Sequence, residues 1–392
     1  MKKFIYLCGM MLLCMNVMAQ IDPYDQNWKP ILIEDFSTPS RFWIDSSFLS
    51  SDSIWKAYSS NVIHGDSAHH EKMIYQYSQC HFNDADGYLE LVAEYDTNGR
   101  IPRHEYALPY TVHNYPTYSD LYYFSGRIDH FDKHGADSSK YRYGYFEIRC
   151  KLPVHSGAIS SFWLWNAKPS CFYEEIDIFE FSWEFEDPVA TWQNNPHPHG
   201  AGNPYCFSSG LYYCDTANFH GEGTSKARVF PMINDSLSHW HKFSCEWMPE
   251  HILWYCDGNL VDEYHTPDSI PHHPLTLKTN YGIDKYALEN HQHYHKPVWK
   301  GCDTMTIDYI KVYQLNWECS TEEVITQQSD LDSFDFGVKK SITITSTIEP
   351  VCIESTDKVT FRTSDSFIIT GPFQVDSGGE LTVIMQSCPN DE

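Results

Sequence analysis

Residues 145–152 alternate between apolar and polar positions. Phe146, Ile148, Cys150 and Leu152 point one way, and Glu147, Arg149 and Lys151 the other. That period of two predicts a strand with one buried face. Residues 251–264 predict a hairpin, because Leu253-Trp254-Tyr255-Cys256 runs into Asp257-Gly258 and Asn259-Leu260-Val261 runs back. Asp-Gly supplies the positive φ angles of a tight turn. Residues 304–314 carry Ile307, Tyr309, Ile310 and Val312, so both faces are apolar and the strand belongs inside a sheet, not at its edge. Helical periodicity is weak throughout. Many short strands separated by Pro and Gly predict an all-β sandwich. The pattern changes after about residue 316. Residues 317–340 are polar and turn-rich and read as a linker, and strand patterns resume at 341–345, 358–361, 367–369 and 381–385. Residues 341–392 therefore predict a small C-terminal β module that caps or spaces the sandwich, with sugar binding or attachment as alternatives.

The first 19 residues read as a signal peptide: Lys2 and Lys3, an apolar run to about Met18, then small residues before a cut after Ala19. Leu13 disfavours a lipid anchor on Cys14. Residues 20–316 are then the main domain of a secreted, periplasmic or cell-surface protein, expected as a monomer without a membrane span. The formal charge of −26 argues against nucleic acid as a partner, since that binding needs basic stripes. It suits a neutral substrate, although a local basic groove remains compatible with it. Of 13 cysteines, Cys8 and Cys14 fall in the leader. Cys206 with Cys214, and Cys352 with Cys388, are the first pairings to test; Cys150, Cys245 and Cys256 read as buried small hydrophobes.

The chemistry concentrates in Tyr-Glu-Glu-Ile-Asp-Ile-Phe-Glu-Phe, residues 173–181. Glu175 and Asp177 share one strand face. Glu180 comes five positions after Glu175 and faces away in a regular strand. One extra residue at Ile178-Phe179, a β-bulge, returns it to the same side. Carboxylates side by side repel one another, so a structural strand normally scatters them. Two carboxylates about 5 Å apart across a glycosidic bond perform retaining hydrolysis, and a third between them raises the acid's pKa. A solvated acidic strand or a calcium site are the alternatives.

The cluster has a setting. Residues 143–153, Ser160-Ser161-Phe162-Trp163-Leu164-Trp165, Glu175-Ile176-Asp177-Ile178-Phe179-Glu180, Trp240-His241-Lys242-Phe243 with Glu246-Trp247, and Ile307 to Gln314 follow in that order. Together they resemble glycoside hydrolase family 16, in its laminarinase- and agarase-like branch with the bulged Glu-x-Asp-x-x-Glu motif. The resemblance spans about residues 28–316. It implies a jelly-roll sandwich of two curved antiparallel sheets (concanavalin A-like), with the substrate cleft on the concave face. It implies Glu175 as nucleophile, Asp177 as assisting acid and Glu180 as acid/base, with no cofactor required. Trp163 is placed near the cleaved sugar. Trp165 shares its face, and core packing is the alternative for both. Asp308 matches a position that holds a structural calcium ion in many members. Ile159-Ser160-Ser161 and Glu174 depart from the laminarinase pattern and leave the substrate open. The reading is an endo-acting hydrolase of a β-linked polysaccharide, a β-1,3-glucan first. A red-algal galactan (agar or porphyran), or a non-catalytic carbohydrate-binding sandwich, are the alternatives. His291, His293 and His295, and His197 with His199, read as surface or loop histidines.

Overall fold

The computed structural model describes residues 25–38, 42–43, 54–57, 73–83, 86–100, 122–130, 140–155, 157–166, 174–182, 207–213, 224–225, 228–229, 235–283 and 299–389. The leader, Cys206, Cys214 and the histidines at 197, 199, 291, 293 and 295 lie outside them.

Two ten-stranded sheets face each other among the described residues; in each, eight strands follow one path, and Trp28–Glu34 and Cys80–Asn83 in the first and Lys140–Tyr141 and Arg228–Val229 in the second pair off it. One runs Asn259–Tyr264, Ile252–Cys256, His241–Trp247, Gly144–Lys151, Cys302–Leu315, Tyr88–Tyr95, Tyr123–Ser125, Met73–Tyr75. The other runs Thr224–Ser225, Ser208–Tyr213, Glu174–Ser182, Ala158–Asn166, Leu275–Ile283, Arg127–His130, Trp55–Ala57, Phe42–Trp43. Pairing is antiparallel except at the short edge pairs 42–43 with 55–56 and 73–75 with 123–125. Cys302–Leu315 lies in the middle of its sheet, as its two apolar faces predict. The 252–264 hairpin turns through Asp257 and Gly258, at φ 49° and 80°.

The core lies between the sheets. Phe146, Ile148 and Cys150 from one meet Phe162, Leu164, Ile176 and Phe179 from the other, all fully buried. Phe179 and Phe243 touch across the gap with ring centroids 4.3 Å apart. Cys150, Cys245 and Cys256 are buried free thiols, as the strand alternation predicts. No described helix is long and apolar enough to cross a membrane.

The C-terminal module is solenoid-like, because its main strands pair in parallel in the order Trp317–Ile325, Val338–Ile344, Lys358–Ile369, Glu380–Met385. The linker expected at 317–340 is corrected here: the segment supplies the module's first strand and the one-turn helix Gln328–Asp332. Its acids looked like a solvated run because their partners sit on the next strand, where Lys339 meets Glu318 and Lys340 meets Glu322. Cys388 bonds to Cys319, not to Cys352, which is free. A second apolar cluster joins module and sandwich. In it, Val338 packs with Trp28, Tyr145, Leu253, Tyr255, Tyr313 and Leu315. Asn27 donates to the Thr360 carbonyl at 2.7 Å and Arg362 pairs with Asp25 at 3.3 Å. The module thus covers the face of the first sheet turned away from the second.

Candidate active site

The strand Glu174–Ser182 holds the three acids, and its register decides where they point. Against Ala158–Asn166, Glu175 faces Trp165, Asp177 faces Trp163, and then Phe179 faces Phe162 and Glu180 faces Ser161. Ile178 has no opposite number. It is the extra residue of a bulge, and the pairing with Ser208–Tyr213 shifts at the same place. Ile178 and Phe179 therefore both enter the core, and Glu180 returns to the face of Glu175 and Asp177.

Two residues hold this kink. A bulge breaks the ladder and leaves a backbone group to satisfy. The Trp254 indole, reaching across from the first sheet, donates to the Asp177 carbonyl at 2.9 Å. Gly210 stands opposite Asp177, where a Cβ would come 2.2 Å from Asp177 Oδ2. Only glycine leaves that carboxyl its room.

The acids share protons. Burial pushes Glu175 up to about 7 and Glu180 adds to it, while a hydrogen bond from Asp177 and the charges of Lys278 and Arg127 pull it down. Burial and the Glu175 charge push Asp177 well above the carboxylate range. Asp177 is thus the proton holder and donates to Glu175, keeping the latter a carboxylate. Desolvation is the largest cause that pushes Glu180 up to about 7. One face therefore holds an ionisable carboxylate beside a carboxyl that keeps its proton toward neutral pH.

Trp163 and Trp165 lie outside the core and half-buried on this same face. The Trp163 indole donates to Asn280 Oδ1 at 2.8 Å, which orients the ring. Residues that the sequence reading missed complete the wall. The strand register sets Ser161, Asn280 and Arg127 in one row and Trp163, Lys278 and Asp129 in the next. Arg127 and Lys278 both bond to Asp129 at 2.8 Å, and both sit over the Trp163 ring, 5.3 and 5.5 Å from its centroid. Burial raises Asp129, but the two cations override it and hold it at about 2. Two cations on one carboxylate leave a positive charge in the wall. No local motif marks these residues, since three strands bring them together.

The expected calcium position carries an ion pair. Asp308 accepts from Arg149 Nη1, so a guanidinium already takes its charge.

An acidic row on a bulged strand, flanked by indoles on one face of a two-sheet sandwich, defines a jelly-roll protein with a carboxylate-bearing face. The pattern of glycosyl hydrolases family 16 matches residues 127–311. The chain is 26% identical over 176 residues to the endo-1,3-1,4-beta-glycanase EglC of Rhizobium meliloti (strain 1021), covering 44% of this chain and 31% of that protein. It is 26% identical over 151 residues to a beta-glucanase of Bacillus subtilis (strain 168), covering 37% and 51%. The chain thus spans about a third to a half of the length of these curated relatives. A solved structure, described with endo-acting O-glycanases that prominent members of the human gut microbiota express to initiate mucin breakdown, aligns with TM-score 0.50 at 17% identity. It covers 74% of this chain and 92% of that one, and it shows the fold alone.

Proposed function

We propose that this chain is an exported, endo-acting retaining O-glycosyl hydrolase of a β-linked polysaccharide, with a β-1,3-glucan first. The observation that carries this reading is the unpaired Ile178, which sets Glu175, Asp177 and Glu180 on one face. Glu175 and Glu180 are four register steps apart, about 13 Å along the backbone at ~3.3 Å per step. Each glutamate leaning inward by about 4 Å brings the carboxyls to the ~5 Å of double displacement. Glu175 attacks the anomeric carbon while Glu180 gives its proton to the departing oxygen. A water then enters, Glu180 takes its proton, and the oxygen displaces Glu175 from the sugar. Asp177 holds its own proton throughout, and its hydrogen bond weakens as Glu175 loses charge in the ester. Trp163 and Trp165 offer ring faces on which sugars stack. The name of the Bacillus subtilis beta-glucanase supports a glucan, and that of EglC a β-1,3-1,4-linked glycan.

One observation favours a second substrate. Arg127 and Lys278 beside Trp163 suit a sugar with an anionic substituent, as in porphyran, a red-algal galactan. New reducing ends measured on laminarin, mixed-linkage glucan, agar, porphyran and carrageenan decide between the two. The mechanism is tested separately on whichever polymer is cut. Glu175→Ala abolishes turnover, and azide restores it with inverted stereochemistry. Rescue without inversion removes Glu175 from the nucleophile's role. If the unmutated protein binds a polymer but leaves all five uncut, the chain is a binding sandwich.

A further inference from the structure

One residue before Glu175, the same strand offers a different chemistry. Glu174 points to the opposite side and is buried, at 2% exposure. Its neighbours are His272 and His273, and one donor atom from each of the three residues falls within 4.8 Å of the others. We propose that Glu174, His272 and His273 form a site for a borderline divalent cation of the zinc type, bound at the end of the acid strand.

The geometry matches the ion. Zinc–nitrogen and zinc–oxygen bonds of about 2.0–2.2 Å place tetrahedral ligands about 3.3–3.5 Å apart. His273 Nδ1 stands 3.4 Å from Glu174 Oε2. His272 donates from Nδ1 to the Ile270 carbonyl at 3.4 Å, the outer bond that selects the tautomer with its lone pair on Nε2. Water takes the fourth position from the partly exposed His273 side.

The loop is also held in advance. Its sequence is Pro271-His272-His273-Pro274, with a fixed φ at each end. The Pro271 carbonyl accepts from the Trp247 indole at 2.8 Å, and that of Pro274 accepts from Asn166 at 3.1 Å. The other cluster of potential ligands among the described residues is at His241, Cys256 and Asp257. There both His241 nitrogens are used, by Asp257 at 2.7 Å and the Ser236 carbonyl at 3.0 Å. Calcium does not suit the Glu174 site, because two of its three donors are nitrogens. A bound ion ties the loop before Leu275–Ile283 to the residue preceding Glu175, so it anchors one end of the acid row without entering the chemistry.

The test uses the full mature chain without a histidine tag, stripped with chelator and dialysed. Zinc binding is followed by calorimetry and thermal melting, and the site's geometry by the visible spectrum of the cobalt(II) form. The chain binds zinc and melts higher with it, cobalt gives a tetrahedral spectrum, and calcium gives neither effect. His273→Ala, at a partly exposed position, loses one equivalent or weakens binding at least about tenfold. His272→Ala does the same, and His239→Ala, a surface histidine elsewhere, changes nothing. Equal zinc binding by the native chain, His272→Ala and His273→Ala overturns the proposal, as does an absence of any zinc effect. In that case the contact is a proton-dependent Glu174–His273 ion pair. None of these readouts depends on hydrolysis, so failure here leaves the catalytic reading untouched.

Discussion

Gly210→Ala isolates the position of one carboxyl. The added Cβ meets Asp177 Oδ2 at 2.2 Å, Cγ at 3.1 Å and Cβ at 3.3 Å. Ordinary contact requires the carboxyl oxygen to retreat by about 1 Å. Gly210 does not have a positive φ, so alanine brings no backbone strain there. The clash is against a short side chain beside a cleft, and overpacking of this kind costs about 1–3 kcal/mol. Replacing a strand glycine returns about 0.5–1 kcal/mol of that. Stability, read by urea unfolding, therefore falls by at most about 2.5 kcal/mol. Activity falls much further, since a 1 Å misplacement near the reacting atoms costs about 100-fold. The loss lies in kcat, because Asp177 acts on Glu175 and does not hold sugar. Displacing Asp177 also removes the hydrogen bond that lowers Glu175. Glu175 then ionises at higher pH, and the acidic limb of the pH–rate profile moves upward. Gly282→Ala is the control: its Cβ would meet the flexible Met73 Cε at 2.9 Å, with none of the three acids among its nearest atoms. A Gly210→Ala enzyme with kcat within about threefold of native and an unmoved acidic limb refutes the role given to Asp177.

Other outcomes follow from the same site. With Glu175 and Glu180 both pushed up to about 7, kcat/KM is a narrow bell near neutral pH; a broad plateau from about pH 5 to 9 contradicts the shared-proton arrangement. Raised carboxyls bind more protons folded than unfolded, so they erode stability as pH rises from their unfolded value of about 4.3 through 7. Glu180→Gln therefore raises the melting temperature at pH 8 and loses that advantage near pH 4; an equal effect at both pH values rejects the shift. The Cys319–Cys388 bond closes a sequence separation of 69 residues, so Cys319→Ser with Cys388→Ser destabilises the C-terminal module by about 2–4 kcal/mol in chemical denaturation. Trp254→Phe strands the Asp177 carbonyl, costing about 1–3 kcal/mol and lowering kcat; unchanged unfolding midpoints dismiss the indole as the bulge's anchor.

Much of this was legible in the order of residues. A period of two named the strands, and the five-residue spacing from Glu175 to Glu180 required a bulge for the acids to meet. The bulge lies at Ile178, where that parity argument put it. Alternation also put Trp163 and Trp165 on one face, though it left open whether that face was core or cleft. What alternation cannot carry is the identity of the neighbour across a ladder or between sheets. Gly210 comes 33 positions after Asp177, Trp254 comes 77 after it, and Lys278 lies 149 from Asp129. Their meeting depends on strand order, which is set by global burial and not by local preference. The same limit made residues 317–325 look like a linker, since their acids are satisfied by lysines on the next parallel strand. Sequence periodicity decides which side of its own strand a residue occupies. Only the folded sheets decide what it finds there, because hydrogen bonding and charge act over a few ångströms of space, whatever the distance along the chain.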